Sequence, residues 1–535
     1  MQTRLWSSLI VMLLAGGCAP GVRFADRAVL WKDTDDKPVP MPAPREPPYH
    51  WIAIRDAAFL PLDRSLSLDY AREATNVNAV DETPDSSWWT DRRRVPGQAR
   101  PRNLGEEEMA RGAFLDRPRP VMPLTVTKGK DKGGNLGFIV KDALGRQFAI
   151  KIDPPDYVSL ETSTEVVVSR LAWAGGWNVP AESIIDLHVG DLLLSPKAST
   201  VNESGDKVPL DKEHFRELLA RAPTAADGSI RALASLWIEG SIIGPYTYYG
   251  RQADDGNDRI PHQDRRDLRG YGVFCAWVNN IDTTDINTLD SYVGDKGRGH
   301  VVHWQQDVGG SFGGRAGGAM DYWMGSDTYF SPGRIVGSFL SFGIAYRAWE
   351  GETVRGRRAR MLALYPEVGW FDDVSFEPRD WAPIFDNPAF IRATPRDRYW
   401  AAKRILQIGQ DELRAAIAEG RYRRAAAERL FEVLWHRREK ILRGYLSDVP
   451  PLDYFRVENG QLCWDDLWIS AGFAGDHSSE YEADGRAIPV DAPRCAPVGS
   501  GYRIVALRVR HPGQRRLSAP VKVHLVDRRI VGVER

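Results

Sequence analysis

The chain has 535 residues, 43% of them hydrophobic and 27% charged, which is material for more than one core. With 71 basic and 72 acidic residues its formal net charge is -1, so it has no global field to hold nucleic acid, and no nucleic-acid partner is expected.

The first predicted element is an export signal. Met1-Gln-Thr-Arg4 is a short basic start, Leu9 to Leu14 an apolar run, and Ala15-Gly-Gly-Cys18 places small residues before a cysteine. The run is shorter than the roughly 20 residues of a spanning helix, and no later segment is long and charge-free enough to compensate. Ala15-Gly-Gly-Cys18 resembles the bacterial lipobox. The resemblance implies cleavage before Cys18, a lipid on its thiol, attachment to a membrane through that lipid and residence in the bacterial cell envelope. Ala19 resembles the residue of lipoproteins sent on to the outer rather than the inner membrane. An ordinary secretory signal with an incidental cysteine is the alternative.

Residues 1-17 are thus expected to be a signal peptide and 18-50 a tether, since Lys37-Pro-Val-Pro-Met-Pro-Ala-Pro-Arg-Glu-Pro-Pro48 holds the backbone extended. Residues 51-123 form an N-terminal extension whose function is not legible, with a short helix candidate at Glu106 to Arg111. Alternation around glycine turns then predicts three consecutive antiparallel strands, at Leu124 to Lys128, Phe138 to Lys141 and Gln147 to Ile152. A helix follows from about Ser163 to Ala174, ended by Gly175-Gly176. Ile184 to His188 and Asp191 to Leu194 read as a hairpin. After a polar excursion from Pro196 to Gly228 comes a strand at about Ala232 to Ile238, so that over 124-240 one helix, after the third strand, stands among strands.

Beyond 240 the chain turns helical: Leu268, Tyr271, Cys275 and Val278 mark one stripe, and Arg396 to Leu446 holds three helices broken at Gly420-Arg-Tyr422. From 450 to 535 short alternating strands predict a small all-β domain, in which Cys463 and Cys495 are candidates for a disulfide in an oxidising envelope. His262, His300 and His303 lack zinc-ligand spacing and read as structural.

The order of these elements is that of a two-lobed protein-kinase-like fold. A glycine-rich turn over 129-137, containing Gly133 and Gly134, would let backbone amides approach phosphate oxygens; Lys151 on the third strand would bind phosphates, and Glu165 on the next helix would hold that lysine. Asp282 and Asn287 stand five positions apart after an apolar helix, a spacing kinases use to pair a base with a metal ligand. Asp307-Val-Gly309 follows an extended segment, His300 to Trp304, at the place of a metal-binding Asp-x-Gly turn.

Residues 124-310 resemble the atypical kinases of the HipA and CotH kind, best over Asn279-Asn-Ile-Asp-Thr-Thr-Asp-Ile-Asn-Thr-Leu289 and Asp307-Val-Gly309. The middle of the chain also resembles uncharacterised bacterial envelope proteins. The first resemblance implies an α+β fold with an N-lobe at 124-240 and a helical C-lobe at 241-449. It implies Asp282 as catalytic base, Asn287 and Asp307 as metal ligands, Lys151 and Glu165 as the phosphate lysine and its partner, and Mg²⁺ with ATP as cofactors of a phosphotransferase. The acceptor would be a hydroxyl on an envelope protein or glycan. Asn280 and Ile281 replace the usual His-Arg before the aspartate, the glycine turn lacks a strict Gly-x-Gly-x-x-Gly, and the Lys151 to Glu165 spacing is short.

Taken singly, each residue has an ordinary reading: an edge lysine, a surface glutamate, a turn aspartate. Their serial order in matching elements joins them. Two other readings stay open: an inactive kinase-like scaffold, which needs no nucleotide outside the cytoplasm, and a calcium loop built from Asp282, Asp285, Asn287 and Asp290.

Overall fold

The structure is a computed structural model, and it describes residues 24, 28–46, 49–62, 72–114, 119–130, 135–201, 206–342, 344 and 348–535. The expected signal peptide at 1–17, Cys18, Gly133 and Gly134 lie outside the described residues. The chain forms two compact units: one of 31–77 and 83–451, the other of 1–30, 78–82 and 452–535. The fold is α+β, and the larger unit combines a seven-stranded sheet with a largely helical half.

That unit opens with α1 (Tyr49–Ile54) and α2 (Glu106–Arg111). Its sheet begins with β1 (Leu124–Lys130), β2 (Leu136–Lys141) and β3 (Gln147–Ile152), paired antiparallel in sequence. Helix α3 (Leu160–Gly175) follows, then β4 (Glu182–Leu187), β5 (Leu192–Val201), β6 (Lys207–Pro209), α4 (Lys212–Ala220) and β7 (Ile230–Leu236). The strand order is β4-β7-β3-β2-β1-β5-β6.

Two expectations are corrected here. The expected hairpin at 184–194 does not form: β4 pairs with β7, and β5 runs parallel to β1 beyond the opposite end of the row. In a flat sheet those strands would stand five spacings apart, about 24 Å, while the five-residue step from Leu187 to Leu192 reaches about 18 Å at most, so the sheet must curl. The curl encloses a core of Val126, Phe138, Val140, Phe148 and Ile150. The polar excursion, in turn, contains β6 and α4, giving seven strands and two helices. Asp211 caps α4 by accepting from His214 N at 2.9 Å, and Phe215, Leu218 and Leu219 bury one face, Phe215 edge-on to Phe138.

Helix α3 is buried along its whole length, charged residues included. It ends at Gly176, whose φ of +108° and close approach to the Trp89 indole exclude any side chain.

Next come β8 (Ser241–Gly244), α5 (Arg266–Val278), β9 (Thr288–Val293) and β10 (His300–Gln305); the strands form a sheet in the order β10-β9-β8. Helix α5 is also buried on every side. Its Arg266 and Arg269 grip Asp397 at 3.0 and 2.9 Å, and Asp397 also completes the Thr394 capping box of a later helix, Pro395–Leu406. Two more helices, Gln410–Glu419 and Arg424–Tyr445, complete this half.

The proline-rich stretch is extended, but over 31–46 it is no free tether. Val39 N donates to Gly299 O at 2.9 Å, Tyr292 Oη to Val39 O at 2.6 Å and Arg45 N to Ile243 O at 2.6 Å, while Arg45 pairs with buried Asp290. Val39 and Arg45, which stand between the prolines and keep their N–H groups, supply these bonds, which makes the stretch a strap along β8–β10. The extension is integral to the same unit: Trp88 stacks on His303 with ring centroids 3.5 Å apart, and Arg93 grips Glu412 with both terminal nitrogens.

The smaller unit carries sheets of three and five strands around Leu452, Trp464, Leu507, Val523 and Leu525, and Cys463 and Cys495 form a disulfide between two of its strands. No helix among the described residues is long and apolar enough to cross a membrane.

Candidate active site

Lys151 lies on β3 and projects toward α3. Its Nζ is 2.6 Å from Glu165 Oε2 and 2.6 Å from Asp307 Oδ1. The short spacing between Lys151 and Glu165 suffices because the connection is tied by one carboxylate. Asp153 accepts from the amides of Ser159 (2.9 Å), Glu161 (3.1 Å) and Thr162 (3.1 Å), and from the Thr162 hydroxyl, so the helix starts at once and brings Glu165 round in little more than one turn.

Burial alone would lower the Lys151 pKa; the Asp307 and Glu165 carboxylates outweigh it and hold the ammonium well above its ordinary value. For Glu165 burial raises the pKa and Lys151 opposes it. Behind Glu165 stands Glu182 at the start of β4, its carboxyl raised well above its ordinary value by burial and then by the Glu165 charge. Ser235 Oγ donates to its Oε1 at 3.2 Å.

The catalytic-loop candidate starts where α5 stops. Asn279 takes the left-handed conformation, φ +57°, and turns the chain out of the helix into Asp282. Asn287 Nδ2 donates to Asp282 O at 2.8 Å, closing the loop on itself, and Gln306 N donates to Asn287 O at 3.1 Å, joining it to the strand that leads into Asp307. Asp307 is also left-handed, φ +50°, with its carboxylate exposed.

The next two glycines bring the halves together. A Cβ on Gly309 would lie 3.2 Å from Glu165 Oε2, and one on Gly310 would lie 3.3 Å from the Asp282 Cβ; Ile281 N donates to Gly310 O at 3.1 Å. The residues that sequence reasoning singled out therefore converge, with Lys151, Glu165 and Asp307 on one side and Asp282 and Asn287 adjoining. Burial raises the Asp282 pKa and the nearby Asp307 charge adds to it, against the hydrogen bond from Asn287.

Sequence reasoning missed three acids. Asp153 and Glu182 have just been described. The third, Glu161, sits one turn before Glu165, accepts from Asn135 Nδ2 at 2.7 Å and from Gly317 N at 3.1 Å, and is raised to about 7 by burial, with Lys151 opposing. Its neighbour Asn135 belongs to the glycine-rich turn of 129–137. The calcium loop does not assemble: Arg55 takes Asp285, and Arg45 and His303 take Asp290.

Asp307, Asn287 and Asp282 offer oxygen atoms alone, the donor set of a hard divalent cation such as Mg²⁺, and Lys151 offers an ammonium for phosphate oxygens. These residues fit a metal and nucleotide chemically. In place, three or more His, Cys, Asp or Glu side chains do not form a metal-ready cluster among the described residues.

No family model matches the chain, and no curated protein matches it. Among solved structures it is similar to the Golgi casein kinase with Mn/ADP bound, at 9% identity and a TM-score of 0.33, and to the Golgi casein kinase, at 8% and 0.30; each match covers 64% of this chain and 76% of the other.

Proposed function

We propose that the protein is a phosphotransferase that modifies a hydroxyl. The observation that carries this reading is Lys151 bonded at once to Glu165 and Asp307, with Asp282 against the same glycine pair. Lys151, held by Glu165, receives the donor phosphates; Asp307 and Asn287 hold Mg²⁺, which when bound neutralises phosphate charge. Asp282, with its raised pKa, is the better base. It takes the acceptor proton as the acceptor oxygen bonds to the terminal phosphorus and the donor's bridging bond breaks. Gly133 and Gly134 are assigned to the phosphates by sequence alone.

A second reading, an inactive scaffold, draws on the same ion pair: Lys151 occupies a carboxylate that a metal would need. Titrating Mg²⁺ and ATP against thermal unfolding separates the two. An intact site raises the midpoint by about 2 °C or more at saturating nucleotide, and Asp307→Asn removes the rise; a chain unmoved by Mg²⁺ with ATP or ADP is the scaffold.

Residence in the envelope, through lipid on Cys18, is supported by the leader sequence and by a disulfide suited to an oxidising compartment. Cys18→Ser should move the protein from the membrane to the soluble fraction. Unchanged membrane retention would remove the lipid from the account.

A further inference from the structure

A cavity of about 500 Å³ borders the loop that leads to Asp282. Its walls are aromatic: Tyr322, Trp370, Phe376 and Trp381 line it, and Asn279 forms one edge. Trp381 Nε1 donates to Asn279 Oδ1 at 3.0 Å, and Ile384 N to Ile281 O at 3.0 Å, so the cavity wall is hydrogen-bonded to the loop that leads to Asp282.

Two further lining residues, Glu377 and Asp380, are exposed acids without an ion pair among the described residues. The cations nearby are already engaged. Arg437 gives its guanidinium to three carbonyl oxygens, of Trp277, Asp372 and Ala276, with its face 3.6 Å from the Phe376 ring centroid. Arg357 bonds to Asp372 at 3.2 Å, which also accepts from Ser375, and Arg358 to Met320 O at 2.7 Å. Arg355 lies 4.8 Å from the Tyr322 ring and bonds to its hydroxyl at 3.1 Å.

Aromatic faces with free carboxylates attract an organic cation, because the ring quadrupole and the carboxylate charge act in the same sense. Anionic ligands are repelled by the same groups. The chain's own arginines already use two of these rings in that way.

We infer that this cavity receives the lysine or arginine side chain of a polypeptide acceptor. Cation binding stands on the cavity alone; the acceptor's role rests on the phosphotransfer reading, since Asn279 at the cavity's edge stands three residues before Asp282, the residue that would take the hydroxyl proton. The pocket selects hydroxyls that have a basic residue close by in the polypeptide.

Calorimetric titration of the full chain with N-acetyl-arginine amide, and with its neutral isostere N-acetyl-citrulline amide, tests the inference. Arginine should bind about tenfold more tightly than citrulline, and the Glu377→Gln, Asp380→Asn double variant should lose about that factor with its unfolding midpoint unchanged. Equal binding of the two amides, no heat from either at millimolar concentration, or a double variant of unaltered affinity would each overturn it. Lys151→Ala should leave cation binding intact, so that a failure of phosphotransfer and a failure of the pocket give different results. If arginine binds and a basic residue beside the target serine has no effect on phosphate transfer, the acceptor role falls.

Discussion

Glu161 is the residue on which the pH response of the site turns. Burial holds its folded pKa at about 7 against an ordinary 4.5, so between those values the folded state keeps a proton that the unfolded chain has released. Stability therefore falls as pH climbs from about 4.5 to about 7, opposite in sign to the usual ion-paired carboxylate. Melting midpoints recorded across that range should decline for the wild type and decline less steeply for Glu161→Gln. A wild-type slope no steeper than the variant's would place the Glu161 pKa near its solution value. Neither Glu161 nor Glu182 was legible in the sequence. A buried acid is spelled like a solvated one, and the groups that meet Glu161, Asn135 and the segment at Gly317, are far apart in the chain.

At the scale of elements, Asp153 matters most. It satisfies three amides at the start of α3 and the Thr162 hydroxyl, in a place where water does not replace it. Asp153→Ala should cost about 2–4 kcal/mol in chemical denaturation and Asp153→Asn less, because the amide oxygen still accepts. A loss below 0.5 kcal/mol, as expected of a solvated cap (about that size in peptides), would mean that the helix start is held by something else. The order of strands and helices was readable from periodicity through most of 124–310 because each element's apolar spacing is local. The false hairpin at 184–194 shows where that stops: neighbours in sequence with a short link are the ordinary pairing choice, and only the curl of the whole sheet lets a five-residue step join its two ends. Helix α4 was hidden for another reason. Its apolar positions are few, and the polar run on both sides outweighed Phe215, Leu218 and Leu219.

For the whole molecule, the two units should unfold with separate sensitivities. The Cys463–Cys495 bridge closes a span of 32 residues within the smaller unit. Chain-entropy arguments give it about 3 to 4 kcal/mol. Reduction, or Cys463→Ser with Cys495→Ser, should lower the unfolding transition of the smaller unit in calorimetry and leave that of the larger unit in place; a single transition moving as a block would show the units to be energetically fused. The larger unit also holds a buried free thiol, Cys275, whose pKa burial raises well above the ordinary thiol range, so it stays protonated and slow to react while the bridge is being reduced.

Phe24 rests edge-on against His524, its ring centroid 4.8 Å away, and fills the space beside Gly532. Five residues, 19–23, lie between it and Cys18, a reach of about 20 Å at full stretch. If acyl chains sit on that thiol, the C-terminal sheet to which Phe24 is packed is kept within that reach of the bilayer surface.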